Sequence, residues 1–198
     1  MPRDTIADAS DETLVVLYAK GDPDAARLLL GRLAPRVMGY ALRLLADRAE
    51  AEDVTQEAMV RLWKVAPDWR QGEAKVSTWL YRVVTNLCTD RRRARMRRPA
   101  MALDEAPEVA DATQGVEAAL MQSDRMAALQ EALNLLPDRQ RQAVVLRHIE
   151  GMSNPEIAAV MAIGVEAVES LTSRGKRALA ALLQGQKEAL GLEETGEE

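Results

Sequence analysis

The sequence predicts an all-α protein made of two small helical domains joined by a flexible acidic linker, the second domain containing a helix-turn-helix. The chain of 198 residues is rich in Ala, Leu, Arg and Glu and has no Phe, a composition that favours helices over strands. Apolar residues recur at helical spacing on both sides of a stretch that combines prolines with acidic residues. We place the first domain at 10–98, the linker at 99–115, the second domain at 116–184 and an acidic tail at 185–198.

The first half of the first domain is predicted to hold three helices. Asp22 followed by Pro23 is a cap and first-turn pair that starts a helix. Pro35 is expected to interrupt it, because an internal proline removes a backbone hydrogen bond. A second helix then continues to about Leu45, and a third spans about 49–65.

A fourth helix completes the first domain. Proline and glycine bracket a loop at 66–76, after which Ser77 or Thr78 can cap a helix that continues to about Arg97. Pro99 stops it, since the residue before a proline avoids the helical conformation.

The second domain is predicted to contain four helices, the last two forming a helix-turn-helix. Ser153 and Glu156 fit the capping-box pattern at the start of the short third helix. A turn with Gly164 joins it to a longer fourth helix, and the tail after Gln184 is expected to be frayed. The predicted spans are about 116–136, 137–148, 153–161 and 165–183.

The charge distribution favours a nucleic-acid partner despite a net charge of −5. Residues 22–98 carry a net charge of +6, whereas 99–128 carry −5 and 184–198 carry −4. Local charge governs contact with DNA. Acidic connecting and terminal segments therefore conceal one basic domain.

Single Cys88 and single His148 exclude an intrachain disulfide, a multi-cysteine zinc site and most catalytic constellations. We expect both to be structural, with Cys88 buried, and we expect no metal, no cofactor and no catalytic activity. The N-terminus lacks the pattern of a signal peptide. The longest apolar run has nine residues, against roughly 20 needed to span a bilayer, so we expect a cytoplasmic protein without membrane insertion.

The helix-turn-helix pattern favours DNA binding, with an ordinary pair of packed helices as the alternative. Its small core would be Ile157, Ala158, Met161, Ile163, Val168 and Leu171. The second helix ends in three cations suited to phosphates: Arg174, Lys176 and Arg177. The capping box, the turn and the basic end together support the DNA-binding interpretation.

Six arginines in eight residues, 91–98, end the fourth helix of the first domain. They suit phosphate contacts, and a solvated charge run is the equal alternative. Trp69, Trp79 and Tyr81 lie upstream. Aromatic rings beside cations suit unstacked bases, although these rings could equally belong to the core.

The helix at 49–65 has a buried stripe and a charged face. The stripe is Val54, Ala58, Leu62 and Val65; the face is Asp53, Gln56, Glu57 and Arg61. Glu57 and Arg61 form an i,i+4 pair worth perhaps ~0.3–0.5 kcal/mol. A solvated face is the ordinary explanation. A partner-docking face is the alternative, because the set has no evident need within the chain.

Three segments, in order, resemble the extracytoplasmic-function branch of the bacterial sigma-70 family. Residues 51–63 (AEDVTQEAMVRLW) resemble its polymerase-binding helix, and 77–93 (STWLYRVVTNLCTDRRR) its promoter-melting and −10-reading helix. LPDRQR at 136–141, with VES at 168–170 and KRAL at 176–179, resembles its −35-reading domain. The resemblance covers roughly 12–98 and 116–184 and leaves no room for the extra domains of larger sigma factors.

The resemblance implies a transcription initiation factor that recruits core RNA polymerase to promoter DNA. The docking face would bind the β′ clamp, with β as a further contact, the loop at 66–76 would receive a flipped base, and an anti-sigma factor would control the protein. The implied −10 residues are Trp79, Arg82, Asn86, Asp90, Arg91, Arg92 and Arg93. The implied −35 residues are Glu166, Ala167, Glu169, Ser170, Arg174, Lys176 and Arg177.

One departure from the family bears on specificity. Members of this branch often carry non-acidic residues where this chain has Glu166 and Glu169. Acids repel phosphate but can accept from cytosine N4, so −35 specificity is expected to shift. Two other functions remain open: a helix-turn-helix regulator that does not use polymerase, and a sigma mimic that binds an anti-sigma factor without binding DNA.

Overall fold

The computed structural model describes residues 6–70, 72, 75–97 and 116–189, with the helix but not the side chains at 116–123 and 186–189. The all-α prediction is confirmed, because these residues form eight helices, a 3-10 turn and no strand. The helices are α1 (Asp11–Ala19), α2 (Pro23–Leu45), α3 (Arg48–Val65), α4 (Val76–Arg97), α5 (Val116–Leu135), α6 (Asp138–His148), α7 (Asn154–Met161) and α8 (Val165–Ala189), with the 3-10 turn Ala66–Asp68 between α3 and α4.

Helix α1 has no counterpart in the sequence prediction. Ser10 caps it by accepting a hydrogen bond from the backbone N–H of Thr13 at 3.2 Å. Arg32 of α2 holds the segment before it, donating to the Ala9 carbonyl at 2.7 Å. Leu14 and Val15 are buried against the first domain. Only these long-range contacts stabilise so short a helix.

Helix α2 continues through Pro35, so the prediction that this proline separates two helices is wrong. Pro35 is exposed, while Leu33, Val37 and Tyr40 on the opposite side are buried. An internal proline costs about 3 kcal/mol. Burial of one large apolar side chain recovers roughly 1.5–3 kcal/mol, so the buried stripe outweighs the proline.

Helix α4 begins at Val76, not after a cap at Ser77 or Thr78 as predicted. The backbone N–H of Val76 donates to Oε1 of Glu12 on α1 at 3.1 Å. A carboxylate at a helix N-terminus satisfies a free N–H and favours the helix dipole. A residue distant in sequence therefore contributes what a local cap was expected to provide.

The second domain follows the prediction closely until its last helix. The capping box is present, with the Ser153 N–H donating to Glu156 Oε2 at 2.9 Å. Ala162 adopts the left-handed conformation (φ 51°) in the turn that separates α7 from α8. Helix α8 continues to Ala189, so the expectation of frayed chain directly after Gln184 is wrong. The predicted linker and the end of the tail lie outside the described residues.

The two domains pack against each other. Helix α4 contacts α7, and α2 contacts α5 and α6. The buried apolar residues form one continuous cluster, which extends from Leu14 in the first domain to Val168 in the second. The polar residues at this junction therefore lie between the domains.

Candidate polymerase and nucleic-acid interfaces

One face of α4 carries most of the predicted −10 residues. Arg82, Asn86, Asp90 and Arg93 follow at intervals of four, four and three residues and are all exposed. At the helical period this spacing places them along one stripe. We call these four residues the α4 stripe. Trp79 lies on the same side, half-buried, with its ring edge-on to Trp69 at 6.1 Å.

Arg91 and Arg92 point away from the α4 stripe and have partners within the chain. Arg91 pairs with Asp53 on α3 at 3.4 Å. Arg92 pairs with Asp138 on α6 at 2.8 Å and donates to the Leu44 carbonyl at 3.0 Å. The sequence placed the arginines in one run, and the structure assigns them to different surroundings.

The charged face of α3 is exposed, but it is not without intrachain contacts. Asp53 has the Arg91 partner, and Glu57 pairs with Arg61 at 2.6 Å. The expectation that this face has no need within the chain is therefore wrong in part. Because the side chain of Asp53 is 67 % exposed, the pair with Arg91 contributes little to stability.

An apolar groove that the sequence did not reveal lies beside this face, between α2 and α3. Leu30 and Val60 are 48 % and 42 % exposed there. Its other lining includes Met38, Gln56 and Trp63. Exposed apolar surface next to a charged helix face is typical of a protein-docking site.

The reading helix α8 presents its predicted −35 residues to solvent. Glu166, Ala167, Glu169, Ser170, Arg174, Lys176 and Arg177 are all exposed. Val168 and Gly175 lie on the buried side. Asn154 of α7 donates from Nδ2 to Oε1 of Glu169 at 3.3 Å, which links the two helices of the helix-turn-helix at its acidic end.

The two residues that limited the chemistry lie in different places. Cys88 is 1 % exposed, as predicted, and burial raises the pKa of its thiol to about 12. His148 is exposed at the end of α6, where partial burial and the nearby Lys176 and Arg147 lower its pKa. In the described ranges, no group of three or more His, Cys, Asp or Glu residues could hold a metal ion. None of the described helices is long and apolar enough to cross a bilayer.

These surfaces define a helical protein with two DNA-facing units and a protein-docking face. Residues 29–98 match the sigma-70 region 2 family, and 126–179 match the sigma-70 region 4 family. The sigma-H factor of Pseudomonas aeruginosa is 32 % identical over 88 % of this chain and 94 % of its own length. The sigma factor SigW of Bacillus subtilis, of the extracytoplasmic-function type, is 34 % identical over 81 % of this chain and 89 % of its own length.

The chain belongs to the sigma-70 family and is a sigma factor of the extracytoplasmic-function type. It is thus a transcription initiation factor that brings core RNA polymerase to promoters. The solved structure of CnrH in complex with the cytosolic domain of CnrY has a TM-score of 0.66 at 28 % identity and covers 89 % of this chain and 99 % of CnrH. RpoE of Bartonella quintana, solved with the anti-sigma factor NepR, has a TM-score of 0.65 at 23 % identity over 78 % of this chain and 94 % of RpoE, and supports the fold alone.

Proposed function

We propose that residues 10–98 dock on core polymerase and open the −10 element, that 116–184 read the −35 element, that 99–115 connect them and that 185–198 are an acidic tail. The observation that carries this proposal is the exposure of two separate DNA-suited faces, the α4 stripe and the N-terminal half of α8. A regulator that reads duplex DNA alone needs only the second face.

The polymerase contact is assigned to the α3 face, formed by Asp53, Gln56, Glu57 and Arg61. The β′ clamp coiled coil would lie along this face, and the apolar groove beside it would bury part of a partner helix. Gln56 lines that groove, so it joins the polar face to the apolar one.

The −10 element is assigned to Trp79 and the α4 stripe, with Arg91 and Arg92 as additional phosphate ligands. The four stripe positions are spaced along about three turns of helix, which suits a single strand that follows the helix. The −35 element is assigned to α8, where Glu166 and Glu169 add cytosine acceptors to a face that ends in cations. The half-buried Trp79 serves both the core and the strand.

Regulation by an anti-sigma factor is part of the proposal. CnrH was solved with the cytosolic domain of CnrY bound, and the groove between α2 and α3 offers this chain an apolar surface for such a protein. We further propose that the chain works in the cytoplasm and performs no catalysis, because the phosphodiester chemistry belongs to the polymerase.

Reconstitution of the full chain with core polymerase tests the function. We expect transcripts that start at specific promoters and are absent with core polymerase alone. Specific duplex binding without any gain in transcription would favour the regulator. Binding to an anti-sigma factor with neither DNA binding nor transcription would favour the sigma mimic.

Replacing Asp53 and Gln56 by alanine is expected to weaken core binding roughly tenfold, a loss of about 1.4 kcal/mol. The changes remove a charge and a groove contact from the docking face. Asp53 loses only an exposed ion pair, so helicity and melting temperature should stay close to those of the parent. A fluorescence titration with core polymerase measures the affinity.

The matched control for the docking prediction is Asp24→Ala, which breaks a surface pair with Arg27 on another helix. It should bind core polymerase as the parent does. Equal affinity for the control and the double variant would exclude the α3 face as the docking site.

A further inference from the structure

The contact between the two domains is strongly polar and involves residues that promoter binding would also use. The side chains that cross it come from α4 and the segment before it on one side, and from α6, α7 and the loop between them on the other. The pairs are Arg92–Asp138 at 2.8 Å, Gln142–Thr89 at 3.1 Å, Lys75–Glu156 at 2.7 Å and Tyr81–Glu150. Arg141 also crosses it, donating to the Leu44 carbonyl at 2.9 Å.

Positive charge at the centre of this contact is incompletely balanced. The Leu44 carbonyl accepts from both Arg92 and Arg141, so two guanidinium groups share one neutral acceptor. The Nε atoms of both arginines are buried without a hydrogen-bond partner. Arg141 is 1 % exposed, and burial followed by repulsion from Arg92 lowers its pKa to about 10.

Asp138 is the acid that pairs with this centre. A buried charge with unfilled hydrogen bonds costs free energy, and that cost offsets part of what the apolar contacts contribute. The contact is therefore specific in geometry but weaker than its buried area suggests. A packed contact of this kind can separate when its charged groups find better partners.

Promoter DNA offers such a partner to Arg92. A phosphate accepts paired hydrogen bonds from a guanidinium as a carboxylate does, so Asp138 holds Arg92 in the way that a DNA phosphate would. The packed arrangement also opposes simultaneous promoter contact. The centres of the −35 and −10 elements lie about 25 base pairs apart, roughly 85 Å at ~3.4 Å per pair, whereas α4 and α7 touch.

We propose that the free chain rests in this docked form, with Asp138 acting as a latch on Arg92, and that the domains separate when polymerase and promoter bind. The inference rests on the proposed function for its purpose. The docked form keeps one promoter arginine occupied and holds the two reading faces too close together for one promoter. Separation then exchanges Asp138 for phosphate at Arg92.

The distance between the domains in the free full chain tests the latch. Donor and acceptor dyes would be placed at Lys20→Cys and Ala180→Cys, two exposed positions in different domains. Cys88 is buried, so the parent chain should take up no dye and serves as the labelling control. Single-molecule energy transfer should show one dominant short-distance population.

Asp138→Asn should raise the ratio of open to docked molecules roughly three- to tenfold. It leaves Arg92 and Arg141 facing each other without an acid. Asp124→Asn makes the same change at an exposed acid of α5 and should leave the ratio unchanged. Gln142→Ala, which removes the contact with Thr89, should also open the chain. The exchange Arg92→Glu with Asp138→Arg should close it again, since the pair is restored with reversed sign.

A dominant long-distance population in the free parent chain would overturn the proposal. So would equal ratios for Asp138→Asn and Asp124→Asn in chains whose circular dichroism shows them folded. The measurement contains neither polymerase nor DNA, so it can fail while reconstituted transcription succeeds. Absent transcription with the energy-transfer results as expected would instead reject the proposed function and leave the docked form intact.

Discussion

Alanine at Arg82 and Arg93 together abolishes opening of a duplex promoter and reduces the salt dependence of promoter binding. Both side chains lie exposed on the α4 stripe, where a melted strand would follow the helix. Each lost phosphate contact should lower the slope of log affinity against log salt by about 1. Arg91 and Arg92 are poorer targets, because their intrachain partners would confound the result.

Neutralising Arg174, Lys176 and Arg177 should have a different effect. These cations end the reading face of α8, so their loss weakens upstream recognition while a pre-melted promoter still opens nearly normally. Permanganate footprinting of the melted strand, with intact and pre-melted templates, separates the two defects. We expect reactive thymines for the α8 variant only on the pre-melted template.

The control for the α4 variant is Arg27→Ala with Arg48→Ala. It removes the same charge from the same domain, at two exposed arginines that pair with acids on their own helices. It should footprint as the parent does. If the α4 and α8 variants fail equally on the pre-melted template, the assignment of separate tasks to the two domains is wrong.

Gly175→Ala is expected to destabilise the second domain by about 1–2 kcal/mol. A Cβ at this position would lie 2.6 Å from Cγ2 of Val144 and 3.2 Å from the backbone oxygen of Gln140. Helix α8 would have to move away from α6, and such overpacking costs roughly 1–3 kcal/mol. The better helix propensity of alanine offsets up to about 1 kcal/mol of that.

Gly185→Ala is the matched control in the same helix. No atom lies within 4 Å of its added Cβ, so alanine should stabilise the helix by roughly 0.5–1 kcal/mol. Urea unfolding followed by circular dichroism measures both variants. Opposite signs are expected, and −35 binding should fall with Gly175→Ala alone. A Gly175→Ala chain as stable as the parent would show that α6 and α8 are not packed this closely.

Where the sequence prediction succeeded, the governing signals were local. The capping box at Ser153 and Glu156 depends on residues three apart, and it located α7 correctly. The ends of α3 and α4 follow from periodicity and from Pro99. The exposed reading face of α8 follows from the same periodicity, because apolar positions select which side of a helix is buried.

Where it failed, the deciding contact came from far along the chain. Pro35 remains inside α2 because the opposite side of the helix is buried. Helix α4 begins at Val76 because Glu12, 64 residues away, accepts its N–H. Neither contact leaves a periodic trace near the position it changes.

The same division holds for the candidate sites. Residue types and spacing along the chain are sufficient for the family, the helical class and the positions of the cationic clusters, since those properties depend on helical period and composition. The partners of individual cations depend on how the domains pack. Arg92 and Arg93 are neighbours in sequence, yet Arg92 lies against Asp138 and Arg93 faces solvent. Successive helical positions differ by about 100°, so only the packing of α6 against α4 decides which arginine is occupied and which is free for DNA.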